Sequence, residues 1–428
     1  MRVLTVLDAF RLGGAETLIA QLGRVAPDVD LELDVLSLHG PSPERSKLEP
    51  MLTEVGLTPH YLGARRTLDP LAFRHLVAYI RRTRPDVVHA HLEMAMTMAV
   101  PAARLAGVPV LGTFHQVYRT MTGREEARER LAVEVATRSD GAIFVSDASR
   151  VSYADRYRPG RDIPSSWLVV HNGIDVDHFS PGTGATRPSL PSDLSDLAVT
   201  RTPTEADTAG SVRLVTIVAA LRGFKGILHA IRAWPIVLDR HPGARLLLVG
   251  TGDQEASLRA EVARLRLGQT VIFAGMRTDI PEVMRASEVV VLPSIYGENL
   301  PTVLMEAGAC GRPVVASDVG GIGDIVVDGV TGLLAAPGDS AGVARAVNEL
   351  LDDPARADAL GRAARERIVA RFSAHVWAAN LRAVYQRAIA DHRRPTAWSD
   401  QATELGPDYG RDTLSDSPSG TLVGAARR

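Results

Sequence analysis

Short apolar runs alternate with longer amphipathic segments along this chain, and the series is run through twice. "RVLTVLDAF", "ETLIAQLGRV", "LELDVLSLHG" and "SKLEPMLTEVG" open the first series, which continues through "PDVVHAHL", "PVLGTFH" and "GAIFVSD". "VRLVTIVAAL", "KGILHAIRAWPIVLDRH", "ARLLLVGTG", "TVIFAG", "VVVLPS" and "PVVAS" repeat the same grammar. This is the pattern of βα units building a mostly parallel, doubly wound sheet. Each series opens on a strand, a Gly-containing turn and a helix, so two α/β domains of one plan are expected.

Between the two series, "PGTGATRPSLPSDLSDLAVTRTPTEADTAGS" is rich in Ser, Thr, Pro, Asp and Gly and carries little apolar signal. It reads as a linker or flexible insertion. The expected layout is a first domain over 1–180, the insertion over 181–211, a second domain over 212–372 and a C-terminal helix over 373–394. That helix is expected to pack back on the first domain, ahead of a tail over 395–428 too poor in regular apolar pattern to fold. A length of 428 residues suits two domains at roughly 100–200 residues each.

Charge and cysteine content exclude several function classes. A formal net charge of −2 gives no electrostatic footprint for nucleic acid. The single cysteine, Cys310, has no partner for an internal disulfide, and "MRVLTVLDAF" lacks the layout of a signal peptide. A cytoplasmic protein is expected, with peripheral contact at the inner membrane face. No uninterrupted apolar stretch reaches the length of a membrane span.

Two doubly wound domains hold a ligand at the carboxyl ends of their strands. In "VVVLPSIYGENLPTVLMEAGACG", a strand runs into a loop and then a helix, with Pro301 expected at the first helical position. Glu298 falls in the loop and Glu306 in the helix, separated by seven residues. The backbone near Asn299, Leu300 and Thr302 offers unpaired N–H groups and a positive dipole end, which favour an anion such as a diphosphate. Glutamates on either side suit sugar hydroxyls. Read without that context, Glu298 is a solvent-facing loop residue and Glu306 an incidental helical one.

The stretch "YGENLPTVLMEAGACGRPVVASDVGGIGDIVVDGVTGLL" resembles the donor-binding signature of the retaining glycosyltransferases of family 4. The resemblance extends from "GGAE" near the start to the last helix and leaves out the insertion and tail. It implies two Rossmann-like domains facing a cleft, the GT-B fold, and a nucleotide-diphosphate sugar as co-substrate with no further cofactor and no metal. It implies that Glu298 lies near the transferred sugar, that Glu306 accepts from the ribose hydroxyls, and that Asn299 and Leu300 meet phosphate or sugar through their backbone. Lys225 in "LRGFKG" matches the diphosphate-binding lysine. The family's usual arginine position is Ala220 here, and Arg222 is its displaced counterpart. Gly14 matches the loop bordering the diphosphate, and His115 in "TFHQ" the histidine facing the transferred sugar. Base recognition is expected around Met276 and Arg277. "GGIGDIV" departs from the family pattern, with Gly323 and Asp324 in the places of a common Pro and Glu.

A nucleoside diphosphate is a good leaving group, so its departure needs charge stabilisation more than an acid and nucleophile pair. Transfer with retained anomeric configuration is implied, with same-face attack and domain closure excluding water. Two other classes share the two-domain plan: a nucleotide-sugar 2-epimerase and a non-catalytic nucleotide-sugar sensor. His89 and His91 in "VVHAHLE" share one side of an extended segment and are expected to line the cleft. The acceptor is a glycan, a lipid-linked sugar or a small molecule. Arg65, Arg66, Arg74, Arg81, Arg82 and Arg84, interleaved with Leu, Phe and Tyr, suggest a basic face for anionic headgroups, against the plainer reading of a solvated helix flank.

Overall fold

The computed structural model describes residues 1–11, 13–65, 69–118, 121–182 and 213–392. Apart from Pro181 and Gly182, the insertion, with Arg66 and the C-terminal tail, lies outside the described residues. The first sheet consists of β1 (Arg2–Leu7), β2 (Glu32–His39), β3 (Pro59–Ala64), β4 (Val87–His91), β5 (Val110–Phe114), β6 (Gly141–Phe144) and β7 (Trp167–Val169). Their order is β3-β2-β1-β4-β5-β6-β7, all parallel. The second sheet contains β8 (Arg213–Val218), β9 (Ala244–Val249), β10 (Val271–Gly275), β11 (Val289–Leu292), β12 (Val314–Ser317) and β13 (Gly332–Ala335). Its order is β10-β9-β8-β11-β12-β13, again all parallel.

Helices cover both faces of each sheet, so a central strand has no wet side and its sequence need not alternate. β4, β5, β9 and β11 are accordingly buried at every residue. Each sheet reverses its winding once, between β1 and β4 and between β8 and β11, and such a switch opens a crevice at the strand ends. Lys225 follows β8 and Glu298 follows β11, so both leave from the second switch point. His115 follows β5, one strand beyond the first.

The last helix, Ala374–His392, belongs spatially to the first domain. Its Trp377, Leu381, Val384 and Tyr385 are buried among Val3, Val87, Leu111 and Ile143. Each such side chain contributes on the order of 1.5–3 kcal/mol of transfer free energy. The chain thus crosses between domains twice, and the crossings touch. Ile174 and Ser373 form a parallel bridge, with Ile174 N donating to Phe372 O at 2.9 Å and Ala374 N to Ile174 O at 2.8 Å. A side chain at Gly173 would start 2.4 Å from Ser373 O, so only glycine allows this approach. Beyond that point Phe179 already packs in the second domain's core beside Leu304 and Met305.

Candidate active site

The corner around Lys225 and Glu298 is assembled by backbone contacts that glycine makes possible. Gly226 has φ +65, and a Cβ there would sit 1.9 Å from Pro293 O. The turn Gly223–Lys225 is thereby seated on the exit of β11, and Ile295 N donates to Phe224 O at 2.8 Å. Lys225 Nζ then reaches Glu298 Oε1 at 2.6 Å, and Ser294 Oγ donates to the same oxygen at 2.5 Å. Glu298 is 5% exposed, and its Oε2 receives no hydrogen bond from a described residue. The second oxygen is therefore the one left open to a further donor. Arg222 is exposed and forms no ion pair with a described residue.

A second glycine pair fixes the next residues. Gly320 has φ +61, its Cβ position lies 1.9 Å from Glu298 O, and that of Gly321 lies 1.8 Å from Asn299 O. Gly321 N donates to Glu298 O at 3.2 Å. The helix Thr302–Ala309 follows, with Pro301 as its N-cap and not its first residue, and no side chain caps it. Proline's side chain accepts nothing, and Leu304 N donates to Pro301 O at 3.2 Å, so among the first-turn N–H groups those of Thr302 and Val303 stay available to an anion. Leu304, Met305, Ala307 and Ala309 face the core. Leu300 is also a core side chain, 7% exposed, so only its backbone can meet a ligand. Glu306 lies on the partly buried side of the helix, where burial pushes its carboxyl up to about 7 against an opposing hydrogen bond from Thr302. Cys310 closes the helix as a buried thiol pushed up to about 12 by burial.

Met276 is 77% exposed, whereas Arg277 is folded onto Asp279 by two hydrogen bonds of 2.8 and 2.6 Å. The expected base loop thus pairs an open apolar side chain with an oriented guanidinium. Gly14 begins the helix Gly14–Val25, with Gly13 as its N-cap.

On the opposite domain His115 Nε2 bonds His91 Nδ1 at 2.9 Å. The expectation that His89 and His91 both line the cleft is corrected here: each is 1% exposed. They occupy one side of β4, as their spacing requires, but there Tyr385 of the last helix covers His89 and His115 packs against His91. His89 lies between Tyr385 OH at 2.7 Å and Thr113 Oγ1 at 2.6 Å, and its ring centroid lies 4.0 Å from that of His91 with the planes tilted by 42°. Burial lowers His89 to about 3 and His115 to about 4, and drives His91 well below the ordinary range. All three are neutral at physiological pH. Only His115 keeps part of its surface open.

In the first domain a cavity of about 200 Å³ is lined by Asp8, His39, Glu93, Thr97 and Arg128, among others. Asp8 Oδ1 accepts from Ala95 N at 2.6 Å, at the start of the helix Glu93–Ala106. The domains also meet directly. Asp324 Oδ2 accepts from Asp147 N at 3.1 Å and bonds His171 Nε2 at 3.2 Å. Asn299 Oδ1 accepts from Ser146 Oγ. The expectations from sequence omitted Ser294, Ser146 and the contacts of Asp324, since a serine before a loop carries no signal of what it will face.

The family described as Glycosyltransferase Family 4 matches residues 12–178, and the one described as Glycosyl transferases group 1 matches residues 203–367. The chain is 33% identical over 326 residues to a glycogen synthase of Mycobacterium tuberculosis, covering 74% of this chain and 72% of that protein. It is 30% identical over 353 residues to a 2-deoxystreptamine glucosyltransferase of Streptomyces kanamyceticus, covering 79% and 85%. Its fold is shared with Anabaena Alr3699/HepE in complex with UDP, at a TM-score of 0.74 and 22% identity over 90% of this chain and 100% of that one. A structure of Alr3699/HepE with UDP-glucose superposes at 0.67 with 23% identity, over 92% and 100%.

Proposed function

The chain belongs to the group 1 glycosyltransferases, and on that footing we propose that it moves a sugar from a uridine-diphosphate sugar to an acceptor, with retention and without a divalent metal. The observation that carries this reading is the Lys225–Glu298 pair at the second switch point, beside a helix N-terminus no side chain caps. Lys225, Arg222 and the helix N–H groups stabilise the charge that grows on the departing diphosphate. Glu298 Oε2 and His115 hold the sugar from opposite domains, Glu306 takes the ribose, and Met276 with Arg277 borders the base. Uridine is favoured because the UDP and UDP-glucose complexes of Alr3699/HepE have this fold. The cavity at Asp8 and Glu93 is the acceptor side.

UDP binding to wild type and Glu306→Ala tests the donor site. A carboxylate that accepts from two ribose hydroxyls contributes about 1.5–3 kcal/mol per charged hydrogen bond, so the substitution weakens UDP at least about tenfold. Ionisation must precede that role. With its carboxyl at about 7, wild-type affinity rises more steeply between pH 6 and 8 than that of Glu306→Ala, in which the terminal phosphate of UDP still titrates at about 6. Folding stability moves the opposite way. A carboxyl raised above its unfolded value is stabilising below that value, and the contribution is lost as pH rises through about 7. Equal affinity with the same pH dependence in both proteins would remove Glu306 from the site.

The acceptor is presented at an anionic membrane surface. Among the described residues no helix is long and apolar enough to cross one. The helix Pro70–Thr83 carries no acidic residue, and its Arg74, Arg81 and Arg82 line an open groove with Phe73, Val77 and Leu105. Leu71 and Leu105 are 62% and 59% exposed. Cations around exposed leucines match an anionic headgroup layer, worth about 1 kcal/mol per arginine. In flotation, wild type is expected to rise with phosphatidylserine vesicles and not with neutral ones. Replacing the three arginines by Gln should cost about a hundredfold in partitioning, and a wild type that stays at the bottom of the gradient would refute the contact.

A further inference from the structure

Three serines at a spacing of three, Ser146, Ser149 and Ser152, run along the first two turns of the helix Asp147–Tyr157 and its N-cap. Each uses its hydroxyl to hold a different part of the cleft. Ser146 Oγ accepts from Ser149 N at 3.0 Å as the N-cap and donates to Asn299 Oδ1 on the other domain. Ser149 Oγ donates to Gln116 O at 2.5 Å, one residue past His115. Ser152 Oγ donates to Ser149 O at 2.7 Å and accepts from Tyr118 N at 3.0 Å.

We propose that this ladder is the spacer that sets His115 of one domain against Glu298 of the other, making Ser146 and Ser149 positioning residues for the transfer. The inference rests on the function proposed above for those two groups. Its geometry does not. A hydroxyl is the smallest group that donates and accepts at once, and Ser146 spends both capacities. Ser146 and Ser149 have no exposed surface and Asn299 is 9% exposed, so water cannot substitute for a lost partner. The contact is also tight. A Cβ on Gly321 would fall 2.8 Å from Ser146 Cβ, so the serine is pressed onto the glycine turn that abuts Glu298 O and Asn299 O. Val145, immediately before it, is buried in the second domain's core with Leu300 and Leu304. The exit of β6 is therefore a wedge into the donor domain, and the helix that starts there reaches back to the loop after His115.

Ser146→Gly and Ser149→Ala test the proposal. Glycine is tolerated at an N-cap at a cost of only a few tenths of a kcal/mol, so Ser146→Gly removes the hydroxyl while sparing the helix. With UDP-glucose as probe and water as acceptor, both variants are expected to keep KM within about twofold and lose about 10- to 100-fold in kcat, the penalty of a misplaced group. In the double variant Ser146→Gly/Asn299→Ala, kcat should fall no further than in Ser146→Gly alone. An unchanged kcat in both single variants, or a change confined to KM, overturns the proposal. A second arm needs no turnover. Cys310 is buried, so cysteines introduced at exposed Glu134 and Asp358 take spin labels cleanly, and their distance distribution reports the setting of the domains. It should be narrow in wild type and broad in Ser146→Gly, and an unchanged distribution refutes the spacer. If wild type neither binds UDP nor turns over UDP-glucose while the distribution still broadens, the function is wrong and the spacer stands.

Discussion

Lys225→Ala is expected to lower UDP-glucose turnover by about 10²–10³-fold, the effect of removing one preorganised charge donor from a developing anion. The side chain is only 17% exposed, and its ammonium has one carboxylate partner among the described residues, the buried Glu298. Deleting the cation strands that carboxylate with Ser294 Oγ alone. Breaking one half of a buried pair costs about 3–5 kcal/mol, so the variant should also melt earlier. The two losses separate in a double variant. Lys225→Met with Glu298→Gln removes both charges, restoring most of the melting temperature while leaving the rate low. Lys225→Arg keeps the charge and should retain more activity than Lys225→Ala. A Lys225→Ala protein with wild-type turnover would show that the diphosphate is stabilised elsewhere.

Acid is the second large lever. His89 and His115 titrate near 3 and 4 in the fold, and near 6.5 once released. Below about pH 6.5 the unfolded chain therefore binds protons that the folded chain refuses. Stability is full above that value and falls as pH drops toward the folded values, by about 2 kcal/mol for each of these histidines by pH 5. The groups that face His89, Tyr385 OH and Thr113 Oγ1, stay uncharged across that range, since burial raises Tyr385 above its ordinary value. Urea titrations at pH 7 and pH 5 measure the difference, and His89→Gln, which keeps a donor and an acceptor, should shrink it. An identical pH dependence in wild type and variant would mean that the buried ring is not the proton acceptor in question.

What was legible in the sequence was what repeats locally. Alternating runs such as "VVVLPS" before a loop and helix announced parallel strands, and the doubly wound pattern placed Lys225 and Glu298 at strand exits. The Gly-Gly step of "DVGGIGD" matched a family pattern, but its purpose lies in two carbonyls it approaches, those of Glu298 and Asn299. His89 was misassigned because strand spacing gives a side and not what covers it. The cover is Tyr385, 296 residues later in the chain. Ser146 and Asn299 are likewise 153 residues apart. Pairings of that range depend on how two domains and a returning helix are assembled, which no local period encodes.

The adjoining crossings at Ile174 and Ser373 have a mechanical consequence. A single tether would let one half of the molecule twist and slide as well as swing, whereas two strands laced side by side work like a two-ply leather strap. Such a strap bends across its width and resists torsion, so rotation about a line near Gly173 and Phe372 is the displacement this pairing would oppose least. Cutting the chain after Phe372 would remove one ply and, with it, the cover over the floor of the opposite half.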